Sequence, residues 1–418
     1  MKRIFTLCAA ILCAAVGFAQ TEKKATVDGI EWTYTIIDES TCMVGTPEKR
    51  DANGDIDSDA MLAVAKSTSG NIVIPGSFDG YTVVEIGRGA FRDVEITGVT
   101  IPTGVTKIGN KAFYRSGITN AEILGNVTWI DEEAFSRTKI TSITLPESLV
   151  RIGEQAFERT LLTSIRIPKS VKYLGNESYW DEWDGNKEWI EEDELYADVF
   201  GGCDEMIEVK VDADNEVYAD IDGVLYTKDL KTLLYNPGGR KNAVIAEGTE
   251  VINEEAFGGA QITTITLPNT LKTIGRFAFE GSALTSITIP ASVTEIGEGA
   301  FEGCENLTDV YNLATTPQVI DEHTFPVQED WTEQGPVFTI NNITLHVPAG
   351  SKAAYEAADG WKYFKTIVED AATGISSAKH QTNGETETYT LDGIRTNGHK
   401  GLNIIRQADG TVRKVLVK

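Results

Sequence analysis

The chain has 418 residues, with 63 acidic against 37 basic side chains and a formal net charge of −26. A surface this acidic repels nucleic acid and anionic lipid headgroups, so nucleic acid is excluded as a partner. Length alone suggests two or three domains, a rule that a repeat array breaks.

Residues 1–20, "MKRIFTLCAAILCAAVGFAQ", carry Lys2 and Arg3 ahead of an apolar run from Ile4 to Phe18 and a small residue at Ala19. The run is too short for a spanning helix, and the pattern predicts a signal peptide cleaved after Ala19 or Gln20. "AILC", ending at Cys13, is a partial lipobox and leaves a lipoprotein open. No other stretch is long and apolar enough to cross a bilayer. Cleavage removes two positive charges and no acid, leaving about −28. It also leaves three cysteines, Cys42, Cys203 and Cys304, outside any CxxC or Cys/His cluster. They are expected to be unpaired.

Residues 21–69 are expected to form an N-terminal β cap. Within them "DANGDIDSD", 51–59, sets oxygen-bearing side chains at alternate positions, as a hard cation requires. Ile56 stands where a calcium loop needs glycine and Leu62 where it needs glutamate, so the stretch reads as a solvated acidic loop.

From 70 to 370 one pattern recurs. Ile-Gly-x-x-Ala-Phe begins at Ile86, Ile108, Ile130, Ile152, Ile252, Ile274 and Ile296, spaced by 22 residues within each block. Asp131 and Asn253 replace the glycine in two copies, which suggests a left-handed backbone there. After most of the Phe residues follows a second half: "ITSITLP" at 140, "LTSIRIP" at 162, "ITTITLP" at 262 and "LTSITIP" at 284. Its last apolar pair alternates with period two, which predicts a strand ended by proline. "VTEIG" reads as a second short extended piece. Phe301 is expected to pack beside Phe279 of the coil before. One coil cannot bury its own apolar face, so coils must stack around a continuous Phe and Ile core. Helical periodicity is nearly absent.

The period breaks over 174–251. "YLGNESYWDEWDGNKEWIEEDELYADVF" reads as one coil swollen by a Trp- and acid-rich insertion, and "DGVLYTKDLKTLLYNP" as a β-hairpin. Trp180, Trp183 and Trp189 with Asp181, Glu182 and Asp184 are the candidate ligand-binding residues, because aromatics among carboxylates form sugar platforms and protein hot spots. Their alternative role is to pack the insertion on to the repeats.

The two repeat halves, with "GNIVIPGSFDGYTVVEIGRGAF" from 70, "IDGVLYTKDLKTLLYNP" from 221 and "LHVPAGSKAAYEAADGW" from 345, resemble the BspA-like leucine-rich repeat family of bacterial and protist surface proteins. The resemblance implies a β-rich, right-handed leucine-rich-repeat solenoid with little helix, displayed on the outer cell surface or released. It also implies adhesion to host or microbial proteins. A polar linker, 371–385, separates the tail 386–418, whose alternating pattern predicts short strands. That tail resembles C-terminal segments of exported Bacteroidetes proteins, which sort, anchor or merely cap.

His323, His346, His380 and His399 fall in no HExxH, GxSxG or phosphate-loop motif, so no enzyme, metal or cofactor is expected. The concave positions Asn120, Glu122, Ser142, Thr144, Ser164, Arg166, Thr264, Thr266, Ser286 and Thr288 read as a small polar face. The leading expectation is a non-enzymatic surface adhesin. The alternative is a carbohydrate-binding accessory protein of a glycan-uptake system.

Overall fold

The computed structural model describes residues 20–51, 55–175, 198–241, 243–332 and 335–370 in full, with backbone strands alone at Ser178–Asp181, Glu188–Glu191 and within 387–417. The chain divides into two compact units at Glu369/Asp370. In the second unit the strands Glu387–Tyr389, Arg395–Thr396, Gly401–Arg406 and Val412–Val417 make one sheet.

The first unit is a solenoid of stacked coils. The Ile-Gly motif starts at the end of a strand, Tyr81–Ile86 in the first copy and a two-residue strand in each of the others. Lys107–Ile108, Trp129–Ile130, Arg151–Ile152 and Tyr173–Leu174 pair in parallel, with Ile108, Ile130, Ile152 and Leu174 in register from coil to coil. Antiparallel Thr21–Val27 and Ile30–Ile36, followed by Thr41–Val44, extend this sheet at the N-terminal end. The second halves form the other wall. Ile96–Ile101 pairs with Asn120–Ile123, Ser164–Ile167 with Glu208–Val211, and Ser286–Ile289 with Asp309–Asn312, all parallel. Among the described residues helix is confined to Lys352–Ala357 and two short 3₁₀ turns.

Phenylalanine rings run up the interior as expected. Phe91, Phe113, Phe135, Phe157 and Phe200 stack with centroids 5.0, 5.1, 5.5 and 6.1 Å apart. Phe257, Phe279, Phe301 and Phe325 repeat the arrangement at 4.8, 5.3 and 5.0 Å. Each ring is sealed from water. Cys203 and Cys304 occupy one site in different coils, each sulfur 3.1 Å from the carbonyl of a ladder residue, Phe157 or Phe279. Both, like Cys42, are buried free thiols.

Two expectations are corrected. The copies at 142–145 and 264–267 keep the alternation but lie outside the strand ladder. Ile143 and Ile265 are only half-buried, whereas Ile165 and Ile287 are buried, though Leu145 and Leu267 of the same two segments still reach the core. The motif glycine does not supply a left-handed backbone either. That conformation falls two residues later, at Lys111, Glu133, Gln155, Glu255 and Phe277. The glycine instead permits close stacking. A Cβ on Gly153 would meet the amide nitrogen of Glu132 at 2.5 Å, and one on Gly297 that of Arg276 at 2.5 Å.

The solenoid has two cores, and the segment 218–235 is wedged between them. Leu225 and Leu234 face the first, while Val224, Tyr226 and Leu233 face the second. Its strands Val224–Thr227 and Thr232–Tyr235 form the expected hairpin. Where the first sheet ends at Tyr173–Leu174, side chains take over from the missing coil. Asn215 Nδ2 donates to the carbonyls of Pro168 and Val171 at 2.9 and 3.0 Å, and its Oδ1 accepts from the amides of Val217 and Tyr218. The Tyr218 hydroxyl accepts from the Leu174 amide at 3.1 Å. These bonds satisfy buried backbone groups that the next coil would otherwise have paired.

Candidate binding surfaces

Because the repeat-defining side chains point inwards, function falls to the positions between them. On the second-half wall, parallel register sets outward residues in rows: Ser286 beside Asp309 and Thr344, Thr288 beside Tyr311 and His346. His346 stacks on Tyr311 with ring centroids 4.2 Å apart, and its Nε2 lies 3.1 Å from Asp309 Oδ1. Hydrogen bonds from Thr308 and then from His346 hold the Asp309 carboxyl below its ordinary value. The row thus ends in an aromatic and carboxylate cluster that sequence reasoning did not single out.

The opposite wall carries a second aromatic feature. Trp129 lies between Lys107, whose Nζ is 4.6 Å from the ring centroid, and Arg151, whose Cζ is 5.1 Å away. These residues are one coil apart and share the outward position of the Ile-Gly strand. Lys107 is also 3.2 Å from Asp131.

Along the turn edge two acidic hollows open. The first, of about 390 Å³, lies where the period breaks and is lined by Glu158, Asp198, Glu254, Glu255 and Glu280 with Arg159. Burial raises the Glu255 carboxyl to about 7, and the neighbouring charges of Asp198, Glu254 and Glu280 add to it. Burial likewise raises Asp198 to about 6, against a hydrogen bond from Gln155. The second hollow, of about 640 Å³, is a cleft between the last coils and a projecting hairpin. That arm pairs Gln328–Thr332 with the start of Gly335–Pro348. Phe338 pins it to the body between His323 and Tyr363, with ring centroids 5.7 and 5.4 Å away. Glu280, Glu302, Glu305 and Glu329 line the cleft, and among the described residues no Lys or Arg does. Trp331, beyond it on the arm, is 77% exposed. The signal for this arm was in the sequence, as "GPVFTINNITLHV" from 335 is rich in the β-branched and aromatic residues that favour strands.

Of the residues favoured from sequence, Trp180, Asp181 and Trp189 lie on an antiparallel hairpin that sets Trp180 opposite Trp189 and Asp181 opposite Glu188. Glu182, Trp183 and Asp184 lie outside the described residues. Residues 52–54 of the acidic loop also lie outside them. Among the described residues no group of three or more His, Cys, Asp or Glu side chains is placed to hold a metal ion. No helix among them is long and apolar enough to cross a membrane.

Stacked parallel coils with a two-walled core and an aromatic spine define a leucine-rich-repeat solenoid. More narrowly, the chain belongs to the BspA type leucine rich repeat region family, which matches residues 67–183 and 232–329 in six copies. The pneumococcal vaccine antigen PcpA has a similar crystal structure, with 20% identity and a TM-score of 0.50 over 84% of this chain and 99% of that one. A leucine-rich repeat protein from Eubacterium ventriosum is similar at 18% identity and a TM-score of 0.55, over 84% of this chain and 85% of that one. At these identities the likeness concerns the fold. No curated protein matches the chain. Repeats of this family are scaffolds for protein interaction.

Proposed function

We propose that this is an exported, non-enzymatic cell-surface protein whose solenoid binds host or microbial proteins. The observation that carries the reading is the division of labour within each coil. Every motif Phe from Phe91 to Phe301 is buried and spent on stacking, while the side chains that differ from coil to coil face solvent on both walls and the turn edge. Such an array gains binding area with each coil and adds no catalytic group. The signal-like start at 1–20 supports export. The fold likeness to a vaccine antigen supports exposure at a cell surface.

Within this reading the insertion is the leading contact region. Aromatic anchors dominate interface energies, whereas isolated hydroxyls on a wet face contribute little. The test compares Trp180→Ala/Trp183→Ala with Ser164→Ala/Thr266→Ala/Thr288→Ala, both checked for folding. Adherence to host matrix proteins and a glycan array are then measured. Loss of protein adherence in the tryptophan variant is expected. Loss only in the hydroxyl variant moves the contact to the strand wall. Binding to the glycan array without protein adherence replaces the adhesin by a carbohydrate-binding accessory protein.

A further inference from the structure

We propose that the cleft between the projecting arm and the turn edge of the last coils receives a Lys- or Arg-bearing extended segment of a partner protein. The inference deepens the scaffold reading and rests on it.

Three observations meet at this place. The cleft is preformed: Phe338 ties the arm to His323 and Tyr363, and Asn341 Nδ2 donates to Gln328 Oε1 at 3.0 Å across the arm. Its charge is one-sided. Glu280, Glu302, Glu305 and Glu329 approach it from two coils, a turn and the arm, and none is in an ion pair among the described residues. Elsewhere on the solenoid, acids of the same kind are matched one coil away: Glu250 by Lys231 and Lys272, Glu298 by Arg276 at 3.0 Å, and Glu158 by Arg137 at 3.5 Å. The four cleft carboxylates therefore lack the counter-charge that these other acids receive. The Glu302 charge raises the Glu280 carboxyl, after burial, as expected of such crowding.

The third observation is Trp331. It is two residues beyond Glu329 on the arm, opposite Pro336, and its indole is exposed to water. An exposed indole costs solvation without adding to the core, and its face attracts ammonium and guanidinium groups. Carboxylates in the cleft and an exposed indole two residues further along the arm suit one chemistry, a cationic segment with one stem packed on the ring. A cleft of about 640 Å³ accommodates a few such side chains. A second copy of this chain is a poor occupant. Its own arm carries Glu329 and Asp330, and its net charge is −26, so it would bring like charge to like.

The test uses the full chain and a fluorescein-labelled octapeptide of alternating lysine and valine, with a serine–valine peptide as the uncharged counterpart. Fluorescence anisotropy is read at physiological salt. The lysine peptide is expected to bind and the serine peptide not. Glu302→Lys/Glu305→Lys and Trp331→Ala should each weaken binding by about tenfold or more. Glu95→Lys/Glu247→Lys, which makes the same change in net charge at exposed sites away from the cleft, should leave it within about twofold. Equal weakening in that control, or no binding of the lysine peptide, overturns the proposal. So does a concentration-dependent dimer that Trp331→Ala abolishes, because the occupant is then a second copy. A chain that ignores the peptide yet still adheres to matrix proteins rejects the cleft and leaves the scaffold reading standing.

Discussion

At the scale of single residues, the repeat rests on two positions with different physics. The motif Phe acts through area. Phe279 is stacked between Phe257 and Phe301 at 4.8 and 5.3 Å and is fully buried. Truncation removes its transfer free energy, leaves a void and breaks two ring contacts. Phe279→Ala should destabilise the fold by about 3–5 kcal/mol and lower the melting temperature. An unchanged melting curve would show that the ladder carries no stability. The motif Gly acts through distance, because the coil before lies within reach of any Cβ. Sequence alone suggested a left-handed backbone at Asp131 and Asn253, which are absent from the positive-φ residues. A glycine's two uses, conformation and close approach, leave the same letter in the chain. Only the stacking distance separates them.

At the scale of elements, the break in the period is the informative place. Asn215 substitutes for a coil by joining four backbone groups with one side chain. Asn215→Ala orphans buried carbonyls and should cost about 2–4 kcal/mol, read as a shift in denaturant midpoint without a change in slope. The acidic hollow beside the break makes stability depend on pH. Glu255 and Asp198 have folded values raised to about 7 and about 6, above those of the unfolded chain. The unfolded state therefore releases their protons first. The stability they contribute is present at low pH and is lost as pH rises through about 6–7. Melting temperature should therefore fall between pH 5.5 and pH 8. Glu255→Gln should raise it at pH 8 and flatten the slope. Carboxyls held low by their partners, such as Glu250 and Asp309, stay ionised across that window and do not contribute to it. The groups facing Glu255 are Asp198, Glu254, Glu280 and Glu154, with Arg159 in the same hollow. A slope that survives in Glu255→Gln would assign the effect to Asp198.

At the scale of the whole solenoid, stability passes from coil to coil through nearest neighbours, and the wedge is the narrowest link. Leu225 and Leu234 belong to one core, Tyr226 and Leu233 to the other. Tyr226 is fully buried, and its hydroxyl accepts from the Ala246 amide at 3.1 Å. Tyr226→Ala should uncouple the blocks, so that a single calorimetric transition becomes two. The C-terminal block, which loses the ring, should melt first. One cooperative transition in the variant would show that the cores are joined elsewhere.

The spacing of 22, the Phe ladder, the free cysteines and the 224–235 hairpin were legible in the chain because each depends on local periodicity or on a buried side chain repeated in register. The family followed from the same buried letters. The binding surfaces were not legible in this way. The Trp129 sandwich joins residues 22 apart, and the Tyr311–His346 stack joins residues 35 apart. The acidic cleft gathers carboxylates from Glu280 to Glu329 around an arm whose position depends on Phe338 meeting Tyr363. A repeat writes its core into the sequence, since stacking demands the same residue at the same place in every coil. It leaves its surface to tertiary structure, since coil rise and register alone decide which variable side chains become neighbours.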